Sequence, residues 1–127
     1  MKKALELNKK FRDEVKKDKE VIAALVFGSY VRGESYNDID LCLVLDKKYA
    51  NSKMTGKRLK YLSNAPNKFD IQIFQQLPIY IRKKILEEGK VLFCANERRL
   101  YEISFDTINE FEDFKEIYKN YIKNAVK

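Results

Sequence analysis

The chain of 127 residues has the length of one small domain, and its composition excludes a disordered or a membrane protein. Hydrophobic residues make up 45% of it and charged residues 35%, as in ordinary globular proteins. No apolar run approaches the roughly 18 residues of a membrane-spanning helix, and the first residues lack the apolar centre of a secretory signal. We therefore expect one domain over residues 1–127, with a cytoplasmic location and no membrane contact.

Charge and cysteine content narrow the classes of partner and site. The formal net charge is +7, from 26 lysines and arginines against 19 acids, which favours a polyanionic partner such as a nucleotide. The lysines are scattered in pairs, as on solvated helix faces, and no aromatic residues interleave with them in a strand, so direct nucleic-acid binding is not expected. Cys42 and Cys94 lie in apolar stretches of a chain without histidine, which predicts buried thiols and no zinc site.

The first half of the chain predicts one helix and two strands. A helical stripe of apolar residues ends before Val21, and its members are Ala4, Leu7, Phe11 and Val15. The run VIAALVFG predicts a buried strand over 21–28, and DIDLCLVL predicts a second over 38–45. The polar stretch that follows is typical of a loop, with a short helix around 57–62.

The second half predicts a strand, a helix, a short strand and one or two further helices. KFDIQIF alternates as a strand over 68–74. A helix follows over 77–90, with Pro78 in its first turn and Gly89 at its C-terminal cap, and VLFC is a fourth strand. Residues 97–127 have apolar side chains at helical spacing. The whole pattern predicts an α/β (α+β) domain, a small mixed sheet flanked by helices.

Asp38 and Asp40 are two residues apart in a predicted strand, so their side chains share one face, about 7 Å apart along the chain. Two anions this close repel one another unless a divalent cation or water lies between them. Carboxylate oxygens suit Mg²⁺ that bridges to a phosphate. A solvated strand end is the alternative explanation for such a pair.

Two further features favour a site for phosphate and metal. Gly28 and Ser29 follow a buried strand, and if residues 29–33 open a short helix, its free N–H groups and the Ser29 hydroxyl would face an anion. Asp70 is the one acid inside the third apolar strand, where a lysine could pair with it. If the second and third strands are neighbours, Asp70 instead joins Asp38 and Asp40 in an aspartate triad for one or two Mg²⁺ ions. Such a site suits phosphoryl or nucleotidyl transfer.

These residues resemble the signature of a known family. The segment GSYVRGESYNDIDLCLVL resembles that of the DNA polymerase beta-like nucleotidyltransferases. It is most similar to the minimal nucleotidyltransferase (MNT) group, whose small domains read G-S-x-x-R-G and then D-I-D-L. The segment ILEEGKVLFCANERRLYE is also similar to the family's helix, glycine and short strand. The resemblance implies a polymerase beta-like nucleotidyltransferase core over nearly the whole chain.

The resemblance also implies roles for individual residues. Gly28, Ser29 and Arg32 would contact the triphosphate of ATP. The aspartate triad would be catalytic and would bind two Mg²⁺ ions, with Asp70 on the catalytic ion only. Without histidine, the proton of the acceptor hydroxyl would pass to Asp70 or to water.

MNT proteins are similar to antitoxins paired with HEPN-domain ribonucleases, and some transfer AMP from ATP to a tyrosine of the toxin. The resemblance implies an adenylyltransferase that acts as the antitoxin of a HEPN-type toxin. A catalytically weak antitoxin that acts by binding alone is one alternative, and a nucleotidyltransferase for a small-molecule acceptor is another.

The C-terminal segment carries more aromatic side chains than one side of a helix can bury in so small a domain. A protein acceptor needs a docking surface, and tyrosine and phenylalanine typically anchor one. We predict that at least two of Phe111, Phe114, Tyr118 and Tyr121 are exposed in the isolated chain and covered in a complex. The alternative is that all four belong to the core.

Overall fold

The computed structural model describes residues 9–33, 38–65 and 68–125, and strands and helices alternate along it largely as the sequence predicts. Helix α1 (Lys9–Lys17) buries Phe11 and Val15, two members of the predicted stripe. The other two members, Ala4 and Leu7, lie outside the described residues. Strands β1 (Val21–Phe27) and β2 (Ile39–Leu45) follow within one residue of the predicted bounds.

The remaining elements follow the predicted order, and one of them is longer than predicted. In chain order they are α2 (Asn51–Asn64), β3 (Phe69–Ile73), a 3₁₀ turn (Phe74–Gln76), α3 (Ile79–Glu88), β4 (Lys90–Cys94) and α4 (Glu97–Ala125). Helix α2 has 14 residues, where only a short helix over 57–62 was predicted. Met54 and Tyr61 are buried on its inner face, so tertiary packing outweighs the weak local preference of Asn51 and Gly56 for a helix. Residues 97–125 form one helix of 29 residues rather than two.

The sheet is mixed, in the order β3-β2-β1-β4. Strand β1 pairs antiparallel with β2 and with β4, whereas β2 pairs parallel with β3. One face packs against α1 and α2, and the other packs against α3, α4 and the 3₁₀ turn. Because helices cover both faces, β1 and β2 are apolar along nearly their whole length. The predicted class, a small mixed sheet flanked by helices, is confirmed.

A network of polar side chains holds α2 against the start of β1. The Asp18 carboxylate accepts hydrogen bonds from Lys57 Nζ at 2.6 Å and from the Tyr61 hydroxyl at 2.7 Å. Partial burial raises the pKa of Asp18, but these two hydrogen bonds, with one from the Glu20 amide, bring it below its ordinary value. The contribution of Asp18 to stability is therefore present above its unfolded pKa and is lost as the pH falls through the lower folded value.

Gly89 and Cys94 differ from their predicted descriptions. Gly89 is the C-cap of α3, but its φ is −66°, so the left-handed conformation of a typical glycine cap is not the reason for glycine here. A Cβ at this position would lie 2.4 Å from the carbonyl oxygen of Ile85, too close for any larger residue without a shift. Cys42 is fully buried, which raises the pKa of its thiol, whereas Cys94 is only half-buried.

Helix α4 packs on the sheet through its first half and continues beyond the core. Ile103 and Thr107 are its buried residues. Phe111 is half-buried, whereas Phe114, Tyr118 and Tyr121 are 40%, 55% and 68% exposed. The prediction that at least two of these four aromatic residues are exposed in the isolated chain is confirmed. None of the described helices has the length and apolar character needed to cross a membrane.

Candidate active site

Strand pairing gathers the predicted site residues at one end of the sheet. The antiparallel register places Asp40 opposite Phe27, the last residue of β1, so the turn that begins at Gly28 lies beside the start of β2. The parallel register places Asp40 opposite Asp70, so these two side chains project from the same face. Asp38 is exposed and immediately precedes β2. The condition for an aspartate triad, that the second and third strands are neighbours, is met.

The segment after β1 forms one tight helical turn. The amides of Val31 and Arg32 both donate to the carbonyl of Gly28, at 3.1 and 3.2 Å. Gly28 and Gly33 bracket the turn with φ values of +82° and +75°, which side chains other than glycine rarely adopt. Residues 29–33 are a turn here, and the residues after Gly33 into which a short helix would continue lie outside the described residues.

Gly28 is also required by the carboxylate of Asp40. A Cβ built on Gly28 would lie 2.3 Å from Oδ2 of Asp40, far inside van der Waals contact. One reason for glycine at a nucleotide site is that it lets a phosphate approach the backbone closely. The geometry adds a second reason, because the missing side chain leaves the space that the Asp40 carboxylate occupies.

Asp40 carries negative charge that the protein only partly compensates. Partial burial raises the pKa of Asp40 above its ordinary value, and the neighbouring carboxylates of Asp70 and Asp38 raise it further, whereas the Arg32 guanidinium opposes the shift. The ionised form therefore costs free energy in the folded chain. A bound cation would remove this cost.

The side chain of Asp70 has partners that the sequence did not reveal. Arg58 of α2 lies 3.5 Å from Oδ1 of Asp70, and Gln72 Nε2 donates to Oδ2 at 3.2 Å. The salt-bridge partner is thus an arginine rather than the lysine considered above. Over residues 9–33, 38–65 and 68–125, no three acidic, histidine or cysteine side chains already form a group that could hold a metal ion.

The donor set of the aspartate triad nevertheless fits Mg²⁺. Carboxylate oxygens are the hard ligands that this ion takes in proteins, and Asp40 has excess negative charge to offer it. The register of β2 and β3 fixes two of the three aspartates side by side.

The side chain of Arg32 extends from the turn after β1 to the C-terminal end of α3. Its Nη1 lies 3.0 Å from Oε1 of Glu88, the last residue of α3. The positive charge of the same guanidinium opposes the rise in the pKa of Asp40, so Arg32 is close enough to the site for its charge to act there. No sequence pattern indicated Glu88, because 56 residues separate it from Arg32.

Comparison with known proteins identifies relatives over most of the chain. A family model described as "Polymerase beta, Nucleotidyltransferase" matches residues 9–98. "Putative protein adenylyltransferase MJ1547" of Methanocaldococcus jannaschii is 34% identical over 103 residues, which cover 79% of this chain and 71% of that protein.

Two solved structures have a similar fold. One is a crystal structure of a toxin-antitoxin with AMP-PNP, with a TM-score of 0.68, 17% identity, and coverage of 94% of this chain and 99% of the matched chain. The other is tri-AMPylated Shewanella oneidensis HEPN toxin in complex with MNT antitoxin, with a TM-score of 0.64, 17% identity, and coverage of 99% and 95%. At these identities the likeness establishes the fold.

The contact between Gly28 and Asp40 predicts that two glycine substitutions lower the free energy of unfolding by different amounts. Gly33→Ala should lose roughly 1–2 kcal/mol of unfolding free energy, the cost of placing alanine in the left-handed region, because its Cβ meets no described atom within 4 Å. Gly28→Ala should lose roughly 1–3 kcal/mol more, since Asp40 must also move. Urea unfolding measures both.

A second substitution tests whether the Asp40 carboxylate causes the extra loss of stability in Gly28→Ala. In the Asp40→Ala background, Gly28→Ala should lose no more unfolding free energy than Gly33→Ala does in the wild type, because the obstructing carboxylate is gone. Equal costs for the two glycine variants in the wild-type background would contradict the proposed contact.

Proposed function

Because the chain belongs to the polymerase beta nucleotidyltransferase family, we propose that it is a Mg²⁺-dependent adenylyltransferase that modifies a partner protein. In the proposed reaction a tyrosine hydroxyl of a HEPN-type toxin attacks the α-phosphate of ATP, which forms the tyrosine–AMP bond and releases pyrophosphate, and this chain is the antitoxin of that toxin. The observation that carries the proposal is the register of β2 and β3, which sets Asp40 beside Asp70 and next to the Gly28 turn.

Each predicted site residue has a part in this reaction. The aspartate triad would hold the metal, which supplies neutralisation of phosphate charge and orientation of an in-line attack when it is bound. The turn at Gly28 and Ser29 would bind the triphosphate through backbone N–H groups, and Arg32 would pair with its charge. Asp70 would accept the proton of the acceptor hydroxyl, a task for which the chain has no histidine.

The relatives support AMP as the transferred group and a protein as the acceptor. The matched protein of Methanocaldococcus jannaschii is named as a protein adenylyltransferase. The two structural neighbours are a toxin-antitoxin with AMP-PNP and an AMPylated HEPN toxin in complex with an MNT antitoxin. A HEPN-type partner for this chain is the corresponding proposal.

One observation favours a second candidate function, an antitoxin that acts by binding alone. Both oxygens of Asp70 face protein donors, and the triad is not assembled as a group ready for metal within the described residues. If Asp70 does not reach a metal ion, little or no catalysis would remain. The transfer experiment below separates the two functions.

The second half of α4 is the proposed docking surface for the partner. Phe114, Tyr118 and Tyr121 follow Ile103 and Thr107 at steps that keep them on one helix face, so the buried stripe continues beyond the core. Exposed tyrosine and phenylalanine on a helix suit an amphipathic helix of a helical partner.

AMP transfer tests the proposed reaction. With α-labelled ATP, Mg²⁺ and the HEPN-type partner, the wild type should label the partner on tyrosine, and Asp40→Asn should reduce the rate at least about 100-fold. Asp106→Asn, which neutralises an exposed acid on α4, is the matched control and should retain the wild-type rate. Absence of transfer by the wild type, with the partner still bound, would favour the binding function.

The same Asp40→Asn variant should not lose stability. Because the folded pKa of Asp40 is raised, its ionised form destabilises the folded chain at pH 7; this cost shrinks as the pH falls through the folded pKa and is absent below the unfolded pKa. In the absence of metal, Asp40→Asn should therefore unfold at the wild-type temperature or slightly above it. A sharp fall would mean that Asp40 is a structural residue.

Substitutions on α4 test the docking surface. Tyr118→Ala and Phe114→Ala should each weaken partner binding at least about 10-fold, since each removes an aromatic anchor. Tyr101→Ala removes a tyrosine that is 72% exposed on the first half of the same helix and should leave the affinity unchanged. Calorimetric titration of the partner into each variant measures the affinities, and full binding by both substituted proteins would exclude this surface.

A further inference from the structure

We propose that Arg58 is a positioning residue of the metal site, and that it holds Asp70 beside Asp40 ready for an incoming ion. The proposal rests on the proposed function, because it assumes that the aspartate triad binds a divalent cation. It assigns a role to a residue of α2, an element that contributes none of the residues indicated by the sequence.

Arg58 is anchored to the strand that carries Asp70. Its Nε donates to the backbone carbonyl of Ile71 at 2.6 Å, on the edge strand β3. Its Nη2 lies 3.5 Å from Oδ1 of the adjacent Asp70. A guanidinium is planar and rigid, so the hydrogen bond to Ile71 fixes the direction in which the remaining N–H groups point. Arg58 thus crosses the edge of the sheet and reaches the carboxylate from outside.

Gln72 holds the other oxygen of the same carboxylate. Its Nε2 donates to Oδ2 of Asp70 at 3.2 Å from the next position on the same strand face. The two donors together select one orientation of the Asp70 carboxylate. Each carboxylate oxygen has two acceptor sites, so both oxygens retain capacity for a metal ion while these contacts persist.

The arrangement needs such a restraint because Asp40 and Asp70 repel each other. The register keeps their backbones adjacent, and the Asp70 side chain is 38% exposed at the sheet edge, where it has room to turn towards solvent. Carboxylates that bind metals are commonly held by hydrogen bonds from outside the site, and loss of such a partner typically weakens metal binding 10–100-fold.

Mn²⁺ binding to the nucleotide-free protein, measured by electron paramagnetic resonance, tests the proposal without any assay of activity. Arg58→Met keeps the length of the side chain but removes its donors, and it should weaken Mn²⁺ binding about 10–100-fold. Arg98→Met removes the same charge from an exposed position on α4 and should bind as the wild type does. If Arg58 were only a counter-ion that competes with the metal, Arg58→Met would bind Mn²⁺ more tightly, and that result would overturn the proposal.

Two further variants distinguish the positioning of Asp70 from the effect of the Arg58 charge and from the contact between α2 and β3. Arg58→Lys keeps the charge but lacks the rigid fork that spans Ile71 and Asp70, so its affinity should stay well below that of the wild type. Full restoration by lysine would overturn the positioning role. Gln72→Leu should weaken Mn²⁺ binding in the same direction without altering the contact of α2 with β3, and unchanged binding in that variant would also count against the proposal.

The Asp70→Asn variant distinguishes failure of this inference from failure of the proposed function. If the wild type binds Mn²⁺ and Asp70→Asn does not, the triad is a metal site, and the Arg58 variants then decide the positioning role. If the wild type itself binds no Mn²⁺, with or without a nucleotide, the proposed function fails and the positioning role fails with it.

Discussion

The parallel pairing of β2 with β3 places the carboxylates of Asp40 and Asp70 on one face, at adjacent positions of the sheet. Like charges at such positions destabilise a sheet, and the pKa of Asp40 is raised by partial burial first and by repulsion from Asp70 second. The surrounding residues accommodate the pair. Gly28 leaves room for one carboxylate, Arg58 and Gln72 hold the other, and Arg32 supplies a nearby positive charge. A divalent cation would complete the compensation.

The negatively charged aspartate triad lies in a protein with a positive net charge. The net charge of +7 favours approach of a polyanion such as a nucleotide triphosphate. The aspartates oppose that approach until a cation neutralises them, so under the proposed function the site would bind a nucleotide together with its metal. Stability comes from other parts of the fold, which include the buried apolar strands β1 and β2 and the network around Asp18.

The sequence indicated the residues of the candidate site, but it did not indicate the side chains that contact them. Strands β1 and β2 follow from apolar runs, and the pattern at Gly28, Asp38 and Asp40 follows from a motif. The place of Asp70 depended on which strands are neighbours, which local periodicity does not determine. No sequence pattern indicated a role for Arg58, because it lies in a polar stretch whose helix is stabilised by packing. Its partners are 12 and 13 residues away, on another element. Glu88 is similarly remote from Arg32.

A crystal structure with Mn²⁺ and a non-hydrolysable ATP analogue would reveal whether the aspartate triad binds a divalent cation together with the nucleotide. We expect anomalous density for manganese in contact with oxygens of Asp38, Asp40 and Asp70, at distances of about 2.1–2.2 Å. We also expect Arg58 to donate still to the carbonyl of Ile71. Density for the nucleotide without manganese, or manganese that Asp70 does not contact, would rule out a metal site formed by the triad.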